Sequence, residues 1–145
     1  IKTKVSGNRI NSRLVAQYIK ELDVNIGDAC EVFFVYDADV REVVAKLNSL
    51  PGTLLLSNPC IEFWFLLHCK NWRRPIEAAE AVRMLKGSHS VWNSYAKGIL
   101  SDAQNNFLKA NRGDAMTRAQ HLPYNANPSS NIHEFIQLLE NAKKR

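Results

Sequence analysis

The sequence predicts an α/β fold, a mostly parallel sheet whose chain continues into a helical C-terminal half. Three observations carry this. Strand and helix signals alternate up to Leu56; Val32-Phe33-Phe34-Val35-Tyr36 is a short continuous apolar run; and after Leu56 the apolar residues recur at helical spacing. Strand, helix, strand, helix, strand implies parallel strands joined by right-handed crossovers. With 145 residues, 46% hydrophobic and 23% charged, the chain is about one domain long and of globular composition. Disordered, collagen-like and disulfide-scaffold classes are excluded.

The elements follow in order. Ile1 to Val5 alternates apolar and polar residues and predicts a first strand. Ser6-Gly7-Asn8 is a turn, and Leu14, Val15, Tyr18, Ile19 and Leu22 predict a helix capped at Asn11 or Ser12. The run 32–36 is rich in β-branched and aromatic residues, as a strand buried on both faces should be. Val40, Val43, Val44 and Leu47 predict a helix ended near Pro51-Gly52, and Thr53 to Leu56 another buried strand. Asn58-Pro59 reads as an N-cap with proline at the first helical position, leading to Ile61, Trp64, Phe65 and His68. Later helices are predicted from Pro75 to Gly87 and over 91–100, 103–110 and 115–122. Tyr124 to Ser130 reads as a loop, and Asn131 with Glu134 as a capping box for a last helix to about Ala142. Residues 1–70 thus form the α/β core and 71–145 a helical part packed on it as one unit.

The longest apolar stretches hold five residues, far short of the roughly 20 that span a membrane. Cys30, Cys60 and Cys69 are odd in number and lack CxxC spacing, which predicts reduced thiols in a cytoplasmic protein. The chain opens at Ile1, not Met, so residues upstream are expected. Up to Cys69 the charge balance is −1, and from Lys70 onward it is +6. That asymmetry suits an anionic partner such as nucleic acid, or equally a solvated, lysine-dotted face.

Asp37-Ala38-Asp39 follows the most apolar strand. Ligands bind open parallel sheets outside the carboxyl ends of the strands, and residues two apart on extended backbone point the same way. The pair can share a hard cation, Mg²⁺ or Mn²⁺, through oxygen; Asp at a strand end is also a good helix cap. Glu62 lies in the first turn of the helix after the 53–56 strand, at the same sheet edge. It is either a third carboxylate of that set or a helix-dipole partner. His68 lies about 240° around the helix from Glu62 and is by spacing alone more a core histidine than its partner. His89, His121 and His133 lack zinc-ligand spacing, and no Gly-rich phosphate loop, GxSxG or HExxH occurs. Lys70, Arg73 and Arg74 surround Trp72, and Lys97 follows Trp92 and Tyr95. Basic residues interleaved with aromatics suit single-stranded nucleic acid, though the aromatics suit a core stripe better.

The string Ser57-Asn58-Pro59-Cys60-Ile61-Glu62-Phe63-Trp64-Phe65-Leu66-Leu67-His68 resembles the hallmark segment of the RloB-like family. The run 32–39, the 115–119 stretch with Arg118, and Asn127 to His133 match in order and spacing. The resemblance implies a TOPRIM-like fold with helices on both faces of the sheet, in a family encoded near restriction and abortive-infection loci. In that pattern Asp37 and Asp39 correspond to the metal-binding DxD, whereas the general acid/base Glu after the first strand has no counterpart in this sequence. The segment's Glu62 and His68 become expected catalytic residues, Glu62 as ligand or proton acceptor and His68 orienting it or touching phosphate. Lys70, Arg73, Arg74 and Lys97 are expected to guide nucleic acid, DNA or RNA. The leading expectation is a metal-dependent nuclease-like subunit of an anti-phage system. The alternatives are a non-catalytic TOPRIM-like module docking on a companion ATPase, and a plain nucleic-acid-binding domain.

Overall fold

The computed structural model describes residues 1–22 and 30–145. They form two compact units, residues 1–35 with 40–54, and residues 36–39 with 55–145. Seven α-helices and a three-stranded open sheet are found among the described residues.

In the first unit, α1 (Ser12–Glu21) begins where its cap was expected: Asn11 Oδ1 accepts the Leu14 N–H at 2.8 Å, satisfying one of the unpaired donors of a helix start. The expected strand over residues 1–5 does not form. Ile1 and Val5 are 90% and 96% exposed, and the segment is tied to α1 by the Lys4–Glu21 ion pair at 2.8 Å and a Tyr18 hydroxyl donating to the Val5 carbonyl at 3.3 Å. Side-chain ties to a helix replace the ladder that a strand requires. Helix α2 (Arg41–Asn48) buries Val43, Val44 and Leu47, the stripe that predicted it. It ends before the Pro51-Gly52 turn, where only glycine fits: a Cβ on Gly52 would meet the Phe34 ring at 2.5 Å and the Val32 carbonyl at 2.9 Å.

The sheet has the order β1 (Phe33–Asp37), β2 (Thr53–Asn58), β3 (Ser129–Ser130). Thr53 N–H donates to the Val32 carbonyl and Ala38 N–H to the Ser57 carbonyl, each at 2.9 Å, so β1 and β2 rise in the same sense. β3 runs antiparallel to β2, with Ser57 opposite Ser130 and Asn58 opposite Ser129. The sheet is therefore mixed, not mostly parallel. The third strand lay hidden in the sequence because it is two serines inside a polar loop. Strand β1 is not buried on both faces either: Phe34 is 6% exposed but Val35 56%, the ordinary alternation of a half-covered strand.

The second unit holds α3 (Ile61–Leu67), α4 (Ala78–Ser88), α5 (Asp102–Ala110), α6 (Arg112–Gln120) and α7 (Ile132–Lys143). Helix α3 buries five of its seven residues and sits at the centre. Fully buried Ala81 of α4 and Ala115 and Ala119 of α6 let those helices close on Phe63, Trp64, Leu66 and Leu67. The N-cap of α3 is Cys60, not Asn58, whose peptide bond to Pro59 is cis. Helix α4 starts after Pro75 because Ile76 spends both backbone groups on the Asn127 amide, at 2.9 and 2.8 Å. The helix expected over 91–100 is instead a 3-10 turn, Ser90–Trp92, and a tight loop closed by an Ala96–Ile99 bridge with Gly98 at φ +92°. A left-handed residue there ends any helical pattern. The expected capping box at Asn131 gives way to another use, since its Oδ1 accepts the Leu56 N–H of β2 at 2.7 Å. Ser101 and Gln104 form a capping box that starts α5.

Candidate functional site

Every group of the site belongs to the second unit. Asp37 ends β1, and the Ala38 N–H bond to Ser57 together with the buried Ala38 side chain fixes the turn that carries Asp37 and Asp39. Helix α3 starts beside them. Asp37 Oδ1 accepts the Ile61 N–H at 2.8 Å, so the strand-end carboxylate caps α3 where Cys60 supplies no side-chain cap. Its other oxygen, Oδ2, takes the Lys97 ammonium at 3.2 Å.

In the first turn of α3, Glu62 is fully buried. Its Oε1 accepts the Tyr95 hydroxyl at 2.9 Å. Its Oε2 finds no hydrogen-bond partner among the described residues. A buried polar atom left unpaired costs about 1 to 3 kcal/mol, more when it is charged; Glu62 Oε2 shares this state with Trp92 Nε1 and Ser129 Oγ, and of the three residues only Glu62 lines the cavity described next. Asp37, Asp39, Cys60, Glu62, Tyr95 and Lys97 line one cavity of about 460 Å³, whose far wall is the Ala78, Ala79, Val82 and Lys86 face of α4.

The electrostatics fix the protonation roles. Burial first, then the Glu62 carboxylate, raises the Tyr95 hydroxyl well above its usual range, so Tyr95 stays a neutral donor. The same two causes push the Cys60 thiol up to about 12, so it stays protonated at physiological pH. The hydrogen bond to Asp37 raises Lys97, which stays a cation.

The cavity gathers three of the sequence-predicted acids, Asp37, Asp39 and Glu62, together with Lys97. His68 is elsewhere. It caps the C-terminal end of α3, 4% exposed, with Nδ1 on the Trp64 carbonyl at 2.9 Å and its ring edge-on to Trp64 at 4.8 Å. Since a carbonyl only accepts, Nδ1 carries the proton. Burial lowers the ring to about 4, so it is neutral at physiological pH. Lys70, Arg73 and Arg74 are exposed and not part of the cavity lining. The Arg74 guanidinium stacks over Trp72 at 4.4 Å while Trp72 Nε1 donates to the Arg74 carbonyl at 2.8 Å. Trp92 and Tyr95 pack with Leu85 in an aromatic core. Tyr95, read as a core or stacking aromatic, was not legible as a partner of Glu62, and no sequence signal singled out Lys86.

As the side chains stand, no three His, Cys, Asp or Glu residues among the described ones are grouped to hold a metal ion. The donors themselves suit a hard divalent cation, being carboxylate oxygens around one cavity, and the unpartnered Glu62 Oε2 is a ready ligand. Asp37 can join it once Lys97 gives way. Asp39 is the third oxygen source at the rim.

A family model described as RloB-like protein matches residues 2–139, nearly the whole chain, and the chain belongs to that family. No curated protein and no solved structure matches it. Among the described residues no helix is long and apolar enough to cross a membrane.

Proposed function

We propose that this RloB-like protein is a divalent-cation-dependent, phosphodiester-cleaving subunit of a bacterial anti-phage system, with a TOPRIM-like use of its sheet edge. The observation that carries the proposal is the fully buried Glu62, with one oxygen unpaired, in a cavity shared with Asp37 and Asp39. Glu62, Asp37 and Asp39 are the residues to hold Mg²⁺ or Mn²⁺. Bound there, such an ion withdraws electron density from a phosphodiester and eases loss of a proton from an attacking water. The chain's own groups do the rest. Tyr95 holds Glu62 in one orientation, the Ile61 N–H holds Asp37, and Lys86 and Lys97 place positive charge where an anionic backbone would enter.

The test is incubation of the purified protein with labelled DNA and RNA in Mg²⁺ or Mn²⁺. The expected outcome is cleavage that Asp37→Asn and Glu62→Gln abolish, while intact substrates under all conditions would refute the enzymatic reading.

A second reading has an observation of its own. Both oxygens of Asp37 are already engaged, by Ile61 and by Lys97, as a purely structural cap would be. On that reading the chain is a non-catalytic module that docks on a companion ATPase. Calorimetric titration of Mg²⁺ separates the two: equal heats for wild type and Asp39→Ala favour the module.

A further inference from the structure

We infer that Lys97 is a built-in counter-cation, seated on the carboxylate a divalent ion needs, so that exchange of the ammonium for the ion sets the metal affinity of the site. The inference rests on the metal-binding reading of the cavity and adds the group that regulates it.

The two partners of the Asp37–Lys97 pair are held unequally. Asp37 is 27% exposed and anchored through its other oxygen to the first N–H of α3. Lys97 is 70% exposed and makes the pair at 3.2 Å. An exposed ion pair of this kind is weak, because water screens it and a long side chain must be ordered to make it. Breaking it leaves the carboxylate where it was and returns the lysine to solvent. The loop that carries Lys97 adds to the asymmetry. Closed by the Ala96–Ile99 bridge, it buries Tyr95 to 5% exposure and fixes that hydroxyl on Glu62 Oε1. One short segment therefore touches two acids of the cavity, gripping Glu62 with a rigid side chain and covering Asp37 with a movable one.

Charge explains why a cover is needed. Asp37, Asp39 and Glu62 around one cavity repel each other when nothing positive lies between them. Lys97 supplies one positive charge in direct contact. A divalent ion supplies two, in a cavity whose lining includes Glu62, and Lys97 leaves Glu62 Oε2 without a partner.

The test is Mn²⁺ binding by electron paramagnetic resonance and calorimetry to the full chain, with no activity assay involved. Lys97→Met is expected to bind Mn²⁺ about 3- to 10-fold more tightly than wild type, from loss of one competing charge at contact distance. Lys97→Gln is expected to do the same, Lys97→Arg to bind no more tightly than wild type, and Asp37→Asn to bind far more weakly. If wild type binds and both Lys97→Met and Lys97→Gln bind equally or more weakly, the counter-cation role is wrong while the metal site stands. If none of these proteins binds Mn²⁺, the metal site and the inference fall together.

Discussion

The two ends of helix α3 carry two buried titratable side chains, Glu62 and His68, in opposite surroundings. At the N-terminal end Glu62 is buried against a cavity, bonded on one oxygen and unpaired on the other among the described residues, with two more carboxylates and two ammonium groups lining the same space. At the C-terminal end His68 is buried against Trp64, its Nδ1 satisfied by a backbone carbonyl and its charge suppressed by desolvation. Burial is common to both, so burial alone does not mark a site. What separates them is bonding and surroundings: Glu62 leaves one oxygen without a partner among the described residues and lines a cavity, whereas His68 packs against Trp64 with its Nδ1 bonded.

The comparison can be broken most forcefully by exchanging the roles. Glu62→Gln is expected to lower Mn²⁺ affinity and any nucleic-acid cleavage by at least about 100-fold while leaving thermal stability unchanged or higher, since it removes a buried charge. His68→Phe is expected to leave Mn²⁺ affinity within about 2-fold of wild type, in the same binding assay. Loss of binding in His68→Phe with a native melting curve would show that the C-terminal end belongs to the site after all.

Acid titration gives the next effect. His68 has a folded value of about 4 against 6.5 in the free side chain. Between those values the unfolded chain binds the proton and the folded chain does not, so stability is full above about pH 6.5 and falls as pH drops toward 4. The loss approaches at most about 3 kcal/mol. Denaturant unfolding at pH 7 and pH 4.5 should show this slope in wild type and a flatter one in His68→Phe.

Smaller effects sharpen the Glu62 end. Tyr95→Phe removes one hydrogen bond to a buried charged group and is expected to lower stability by about 1.5 to 3 kcal/mol, read by denaturant melts, with a several-fold loss of Mn²⁺ affinity. The smallest effect is chemical. With its thiol pushed up to about 12, Cys60 should resist maleimide at pH 8 in the folded protein, while exposed Cys30 reacts, as peptide mapping by mass spectrometry will show.

Much of this was legible in the sequence. Helical stripes located α1, α2 and the centre of α3, and the apolar runs located β1 and β2, because burial of a face leaves a period that can be read. The residues missed are those whose role depends on long-range partners. Asn131 stands at the N-cap of α7 as expected, but its side-chain oxygen serves β2, and the two serines of β3 carry no pattern. Residues 91–100 held apolar residues at helical spacing, but Gly98 and the Ala96–Ile99 bridge turn the chain instead. The acids of the site were legible from their place after β1 and β2. Tyr95 and the pairing of Lys97 with Asp37 were not, since 33 and 60 positions of sequence separate the partners.

The central claim is that Asp37, Asp39 and Glu62 accept a divalent cation in the cavity beside α3. Anomalous diffraction from a crystal of the protein soaked in Mn²⁺ tests it most directly. The expected result is a peak within bonding distance of Glu62 Oε2 and an Asp37 oxygen, with the Lys97 ammonium displaced. A cavity without a peak, with Lys97 still on Asp37 at saturating Mn²⁺, would contradict it.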